Sequence, residues 1–143
     1  MAEDSSEKTV HASCVALEGR GLLILGASGQ GKSALALELM AMGAALVADD
    51  RVILRREGEA LIVTVPEAIA GRIEARFVGL LNATPAGPVA LALAVDLDRT
   101  EAERLPPRRS VNLLGISLPL VHNSETRHFP ATILQYLRAG RSD

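Results

Sequence analysis

Aromatic side chains are nearly absent from this sequence. In 143 residues there is no tryptophan, one tyrosine (Tyr136) and two phenylalanines (Phe77 and Phe129). That argues against a carbohydrate- or base-stacking surface and leaves a core of Ala, Leu, Ile and Val. Cysteine occurs once, at Cys14, which excludes an intramolecular disulfide. A lone thiol in an apolar stretch reads as a buried core group, and its isolation is consistent with a reducing compartment. Charge of either sign is not in large excess. The formal net charge is −2, so no bulk attraction to nucleic acid or to a membrane surface is expected. No apolar run approaches the roughly 20 residues that cross a bilayer. Residues 1–8 are polar and acidic without an apolar stretch, so no signal peptide is expected. A cytoplasmic location follows as the expectation.

Hydrophobic residues make up 48% of the chain, and its length suits one domain that folds without metals or cross-links. The expected organisation is a flexible tail over residues 1–9 and a single domain over 10–143. Val10–Leu17 is small and β-branched and predicts a strand. Leu22–Leu25 is a short continuous apolar run, as in a strand buried on both faces. A helix is expected from Lys32 to Met42, with Leu35, Leu39 and Met42 at helical spacing and Gly43 as its stop. Ala44–Ala48 is a further short apolar run. Val52–Arg55 and Leu61–Val65 flank Glu57-Gly58-Glu59 and predict a hairpin. The segment 69–82 mixes apolar residues with Arg72, Glu74 and Arg76 and has no clear period. Val89–Leu97 predicts a strand ending at Asp96-Leu97-Asp98, followed by a charged, proline-broken connection over 99–109. One or two short strands are expected over 111–121, and Pro130 suits the first turn of a terminal helix.

The segment Gly26-Ala27-Ser28-Gly29-Gln30-Gly31-Lys32-Ser33 matches G-x-x-x-x-G-K-[ST] in full. Glycines let backbone amides turn inward around phosphate oxygens, and the following helix adds the positive end of its dipole. Lys32 can reach the outer phosphates, and the Ser33 hydroxyl suits a magnesium ligand. The apolar strand before the loop and the amphipathic helix after it supply the context this motif needs.

Asp49-Asp50 closes the run Ala44–Ala48, at the strand end where such a fold gathers its chemistry. One carboxylate can act as general base toward a hydroxyl and the other can hold magnesium. A solvated turn is the plainer use of the pair. Glu74 and Arg76 can supply a second metal ligand and a charge clamp, or form an exposed ion pair. His11 and Arg104 carry no chemistry on their own.

Taken in order, His11, GASGQGKS, LVADDRV, IEARFVGLLN and the ERL that holds Arg104 resemble HPr kinase/phosphorylase, in the short form that lacks a long N-terminal domain. The resemblance covers roughly residues 10–120. It implies a compact α/β P-loop fold related to phosphoenolpyruvate carboxykinase, with a mixed sheet and few helices. It implies transfer of phosphate from ATP, or from pyrophosphate in some members, to a seryl hydroxyl of the phosphocarrier protein HPr, and in many members phosphorolytic removal of that phosphate. The implied roles are Lys32 and the loop amides on the nucleotide and Ser33 and Glu74 on magnesium. Asp49 is then the proton acceptor, and His11 and Arg104 fill the remaining active-site positions; the reading of the acidic pair leaves Asp50 for the metal. Full-length members form hexamers.

Two departures stand out. Phe77 occupies a position where the family signature has glycine, which matters if the backbone there needs a positive φ. The family's V-P-K-x-x-x-P-V stretch is matched only loosely by Leu118–Ser124, where Pro119 is present and the lysine is not. Two other functional classes fit the motif: an ordinary small-molecule P-loop kinase and a non-catalytic ATP-binding regulatory module.

Overall fold

The computed structural model describes residues 6–143. Its described residues form eleven strands and two helices, set by short apolar runs and glycine-rich turns. The first strands are β1 (Glu7–Val10), β2 (Ser13–Leu17) and β3 (Arg20–Leu25), followed by helix α1 (Lys32–Ala41). Next come β4 (Ala45–Ala48), β5 (Val52–Glu57), β6 (Ala60–Thr64), a 3-10 turn (Glu67–Ile69), β7 (Arg72–Ala75) and β8 (Gly79–Asn82). The chain ends with β9 (Val89–Thr100), β10 (Arg109–Leu113), β11 (Ile116–Asn123) and helix α2 (Phe129–Ala139).

Nine strands form one curled sheet in the order β1-β5-β6-β9-β3-β2-β4, and β11 joins β9 while pairing with β10. The strand β9 is its spine, since β3 and β11 both run parallel to it and β6 antiparallel. The C-terminal ends of β3, β9 and β11 therefore face the same way. In Leu22-Leu23-Ile24, alternate side chains enter opposite layers. Leu22 and Ile24 pack with Leu35, Leu39, Ile133 and Leu137 of the two helices, while Leu23 joins Cys14, Val47, Leu54, Val63 and Leu118 on the other side. All three are fully buried, each contributing roughly 1.5–3 kcal/mol of apolar burial. Burial also pushes the Cys14 thiol pKa well up, as expected of an inert core cysteine.

Helix α1 ends as its sequence predicts, with Gly43 at positive φ and its N–H on the Met40 carbonyl. Pro130 sits in the first turn of α2, where its missing N–H costs nothing. The long strand predicted over 10–17 is two strands broken at His11. Residues 7–9, assigned to a tail on sequence, belong to β1, paired with Ile53–Arg55 of β5; residues 1–5 of that tail lie outside the described residues.

The segment without a clear period is a separate hairpin of β7 and β8. Its turn has Phe77 at φ 71° with the side chain 100% exposed. A left-handed conformation costs a non-glycine residue roughly 1–2 kcal/mol, and glycine's greater loss of freedom offsets roughly 0.5–1 of that. Since the Phe77 ring packs on nothing, Phe77→Gly is expected to raise stability by about 0.5–1 kcal/mol, or a few degrees in Tm. A lower melting temperature in the variant would show that the ring holds the hairpin.

Candidate active site

The loop between β3 and α1 takes its shape from three glycines. Gly29 and Gly31 have φ of 86° and 98°, and a Cβ at either would meet nothing within 4 Å. The loop is thus an open cradle. The N–H groups of Ser28, Gly29 and Gly31 donate to no other backbone group among the described residues, which leaves them for an anion. Lys32 is 6% exposed and folds back, its Nζ donating to the carbonyls of Gly26 (2.7 Å) and Ala27 (3.2 Å). Gln30 N–H closes the loop on the Ala27 carbonyl at 3.1 Å.

The end of β4 brings Asp49 and Asp50 beside this loop, and the two differ sharply. Asp49 is 7% exposed. Its Oδ1 accepts the Ser33 hydroxyl at 2.6 Å and the Ser13 hydroxyl at 2.8 Å, and its Oδ2 accepts the Glu74 N–H at 3.0 Å. Asp50 turns the other way because its backbone is at φ 71°, with its N–H held by Ser13 Oγ at 3.1 Å. Its exposed carboxylate lies 3.0 Å from His11 Nε2.

A cleft of about 600 Å³ opens here, bordered by Ser28, Gly29 and Gly31–Ser33 on one side and by Asp50, Glu74, Arg76 and Val78 on the other. The structure thus gathers the loop, Lys32, Ser33, Asp50 and Glu74 at one cleft, with His11 reaching it through Asp50. Asp49 lies beneath, on Ser33. The donor set suits magnesium, which takes hard oxygens and usually one or two carboxylates: Ser33 Oγ, the carboxylate of Asp49 that touches it, and Glu74 on the facing wall. The open amide cradle suits a polyphosphate.

Arg104 is not brought to this cleft. It lines a second depression of about 400 Å³ with Glu101, Arg109, His122 and His128, beyond the ends of β9 and β11. There Arg109 forks onto Glu101 at 2.9 and 3.0 Å. That guanidinium, aided by the N–H groups of Ala102 and Glu103, holds the Glu101 carboxyl down at about 2, against an ordinary 4.5. The folded value lies below the unfolded one, so the stabilisation is complete above about pH 4.5 and is lost as pH falls through 2. Urea melts between pH 6 and 2.5 are expected to show that loss. In Arg109→Gln this part of the slope disappears; an unchanged slope would assign it to other carboxylates.

Two contributors escape a sequence reading. Ser13 sits in β2 with no motif around it, yet it is fully buried and bridges Asp49 to the Asp50 backbone. Asp98 accepts the Ala27 N–H; its signal was the acidic end of an otherwise apolar strand.

The family described as HPr Serine kinase C-terminal domain matches residues 3–87. The HPr kinase/phosphorylase of Geobacillus thermodenitrificans (strain NG80-2) is 39% identical over 123 residues, covering 77% of this chain and 40% of its own length. That of Geobacillus sp. (strain WCH70) is 36% identical over 141 residues, covering 93% of this chain and 43% of its own length. The chain thus spans about 40% of the curated relatives it matches. The solved structure of the Hpr(Ser) kinase/phosphatase from Coxiella burnetii aligns over 92% of this chain and 94% of that one, with TM-score 0.77 and 26% identity. With the motif order, the mixed sheet and the cleft in agreement, the chain belongs to the family of HPr serine kinase C-terminal domains.

Proposed function

We propose that this chain is an ATP- and magnesium-dependent protein serine kinase whose acceptor is a seryl hydroxyl of an HPr-type phosphocarrier protein. One observation carries the reading: a phosphate loop and the exposed Asp50 carboxylate, paired from behind with His11, border the same cleft, with a second acidic residue, Glu74, on its wall. Bound ATP would supply the phosphoryl group, and magnesium would neutralise its charge. The loop amides and Lys32 would hold the phosphates, with Lys32 exchanging its two carbonyl partners for phosphate oxygens. Ser33, Asp49 and Glu74 would hold the metal.

The geometry supports exchanging the two roles assigned to Asp49 and Asp50 on sequence. Asp49 has both oxygens occupied, which leaves it poorly placed for an incoming hydroxyl, and its contact with Ser33 puts it on the metal side. Asp50 is exposed to the cleft and oriented by His11, which suits accepting the proton of an incoming hydroxyl. The enzyme's work would be positioning and charge stabilisation.

The direct test is incubation with ATP, magnesium and the cognate HPr, followed by detection of phosphoserine, with a pyrophosphate arm for the alternative donor. Addition of inorganic phosphate to the product then tests phosphorolysis. Nucleotide binding without transfer to HPr would favour the regulatory module. Lys32→Ala removes the loop's cation and is expected to weaken ATP binding by about 100-fold, the loss of one or two charge-assisted contacts. Unchanged affinity by calorimetry would rule out the phosphate-loop reading.

A further inference from the structure

The β3–β9 ladder runs out at Leu25 and Asp96, before the phosphate loop begins. One residue further, Leu97 is buried beneath the loop, and a Cβ built on Gly26 would come within 3.2 Å of its Cβ. Two residues further, Asp98 stands opposite Ala27. Its carboxylate takes the Ala27 N–H, at 3.0 Å to one oxygen and 3.1 Å to the other. A side chain thus extends the pairing where the backbone ladder stops. Asp98 is itself tied at the backbone, its N–H donating to Asp96 Oδ1 at 2.9 Å. Ala27 is consequently held through both of its backbone groups, its N–H by Asp98 and its carbonyl by Gln30 N–H and Lys32 Nζ.

We propose that Asp98 is a positioning residue that locks the entry of the phosphate loop, so that the amides beyond Ala27 are pre-aimed at the nucleotide phosphates. The part concerning nucleotide rests on the phosphate-loop reading above; the part concerning the loop does not. The carboxylate acts as a hydrogen-bond acceptor, and its negative charge is not what the loop needs. An amide side chain of the same shape keeps an acceptor oxygen, whereas a methyl does not.

The test uses Asp98→Ala and Asp98→Asn in the full chain, with two readouts. Amide exchange at Ala27, followed by NMR without nucleotide, is expected to speed up at least about ten-fold in Asp98→Ala and to stay near wild type in Asp98→Asn. ATP affinity by calorimetry is expected to fall about ten-fold in Asp98→Ala, consistent with loss of one pre-organising contact, and to recover in Asp98→Asn. Equal Ala27 exchange in all three proteins overturns the proposal. So does an Asp98→Asn protein as impaired as Asp98→Ala, which would make the charge the working property. A wild-type chain that binds no ATP overturns the phosphate-loop reading, and the exchange measurement still decides the role of Asp98. Because Asp98 is exposed, the variants are expected to fold; should Asp98→Ala not fold, Asp98→Leu makes the same comparison.

Discussion

Under the proposed kinase reading, Asp50→Asn is expected to slow phosphoryl transfer to HPr by about 10²–10⁴-fold, the usual contribution of a positioned general base, with ATP affinity nearly unchanged. The exposed carboxylate stands at the cleft 3.0 Å from His11. An asparagine there keeps the size and one contact but cannot take the proton. The KM for ATP should therefore hold while kcat collapses, since the lost interaction belongs to the transition state. His11→Ala should give a smaller loss of the same kind, because histidine orients the carboxylate. Wild-type transfer by Asp50→Asn would return the proton-acceptor role to Asp49.

Asp49→Ala is expected to act first on the fold. Its carboxylate takes two hydroxyls and one backbone N–H, from Ser33, Ser13 and Glu74. Removal leaves three donors without that acceptor at a nearly buried site, at a cost of about 3–5 kcal/mol. A thermal melt should fall by roughly 10 °C for a chain of this size, and magnesium-dependent nucleotide binding should weaken with it. Ser13→Ala should lose about 1–2 kcal/mol, since it removes one bond to each aspartate. Full stability in Asp49→Ala would mean that water replaces the carboxylate without loss. Together the two aspartate variants separate adjacent residues by phenotype: one mainly kinetic, the other mainly structural.

Much of this site was legible because its information is local. Gly26 to Ser33 carries its own context, a buried strand before and a helix after, and both formed where periodicity put them. The division of labour between Asp49 and Asp50 is not local. It depends on Ser13, far back in the chain, and on the positive φ of Asp50, which turns two neighbouring side chains apart. The hairpin of β7 and β8 hid for a related reason. Its turn carries Phe77 instead of the glycine or asparagine that marks such turns, so no residue type at that position announced a reversal. Arg104 was linked to the site through motif order alone, and the connection after β9 carries it to the second depression. The short strand β1 was missed because Glu7, Lys8 and Thr9 are polar edge residues, and only pairing with β5 makes them a strand.

The place of β9 has a consequence for how this chain acquires its site. The phosphate loop lies near residue 30, but the strand that anchors it pairs Arg20 with Ala90 and Leu25 with Asp96, about 70 residues away. Closing so large a loop must precede the contacts that reward it, which makes parallel pairing of this kind slow to form. On a ribosome, the whole phosphate motif and both aspartates emerge before the strand that holds them exists. A nascent chain ending at residue 87 would contain the entire segment that matches the family and would still lack β9, β11, α2 and the Asp98 carboxylate. The anchored phosphate cradle should therefore form late and all at once during synthesis.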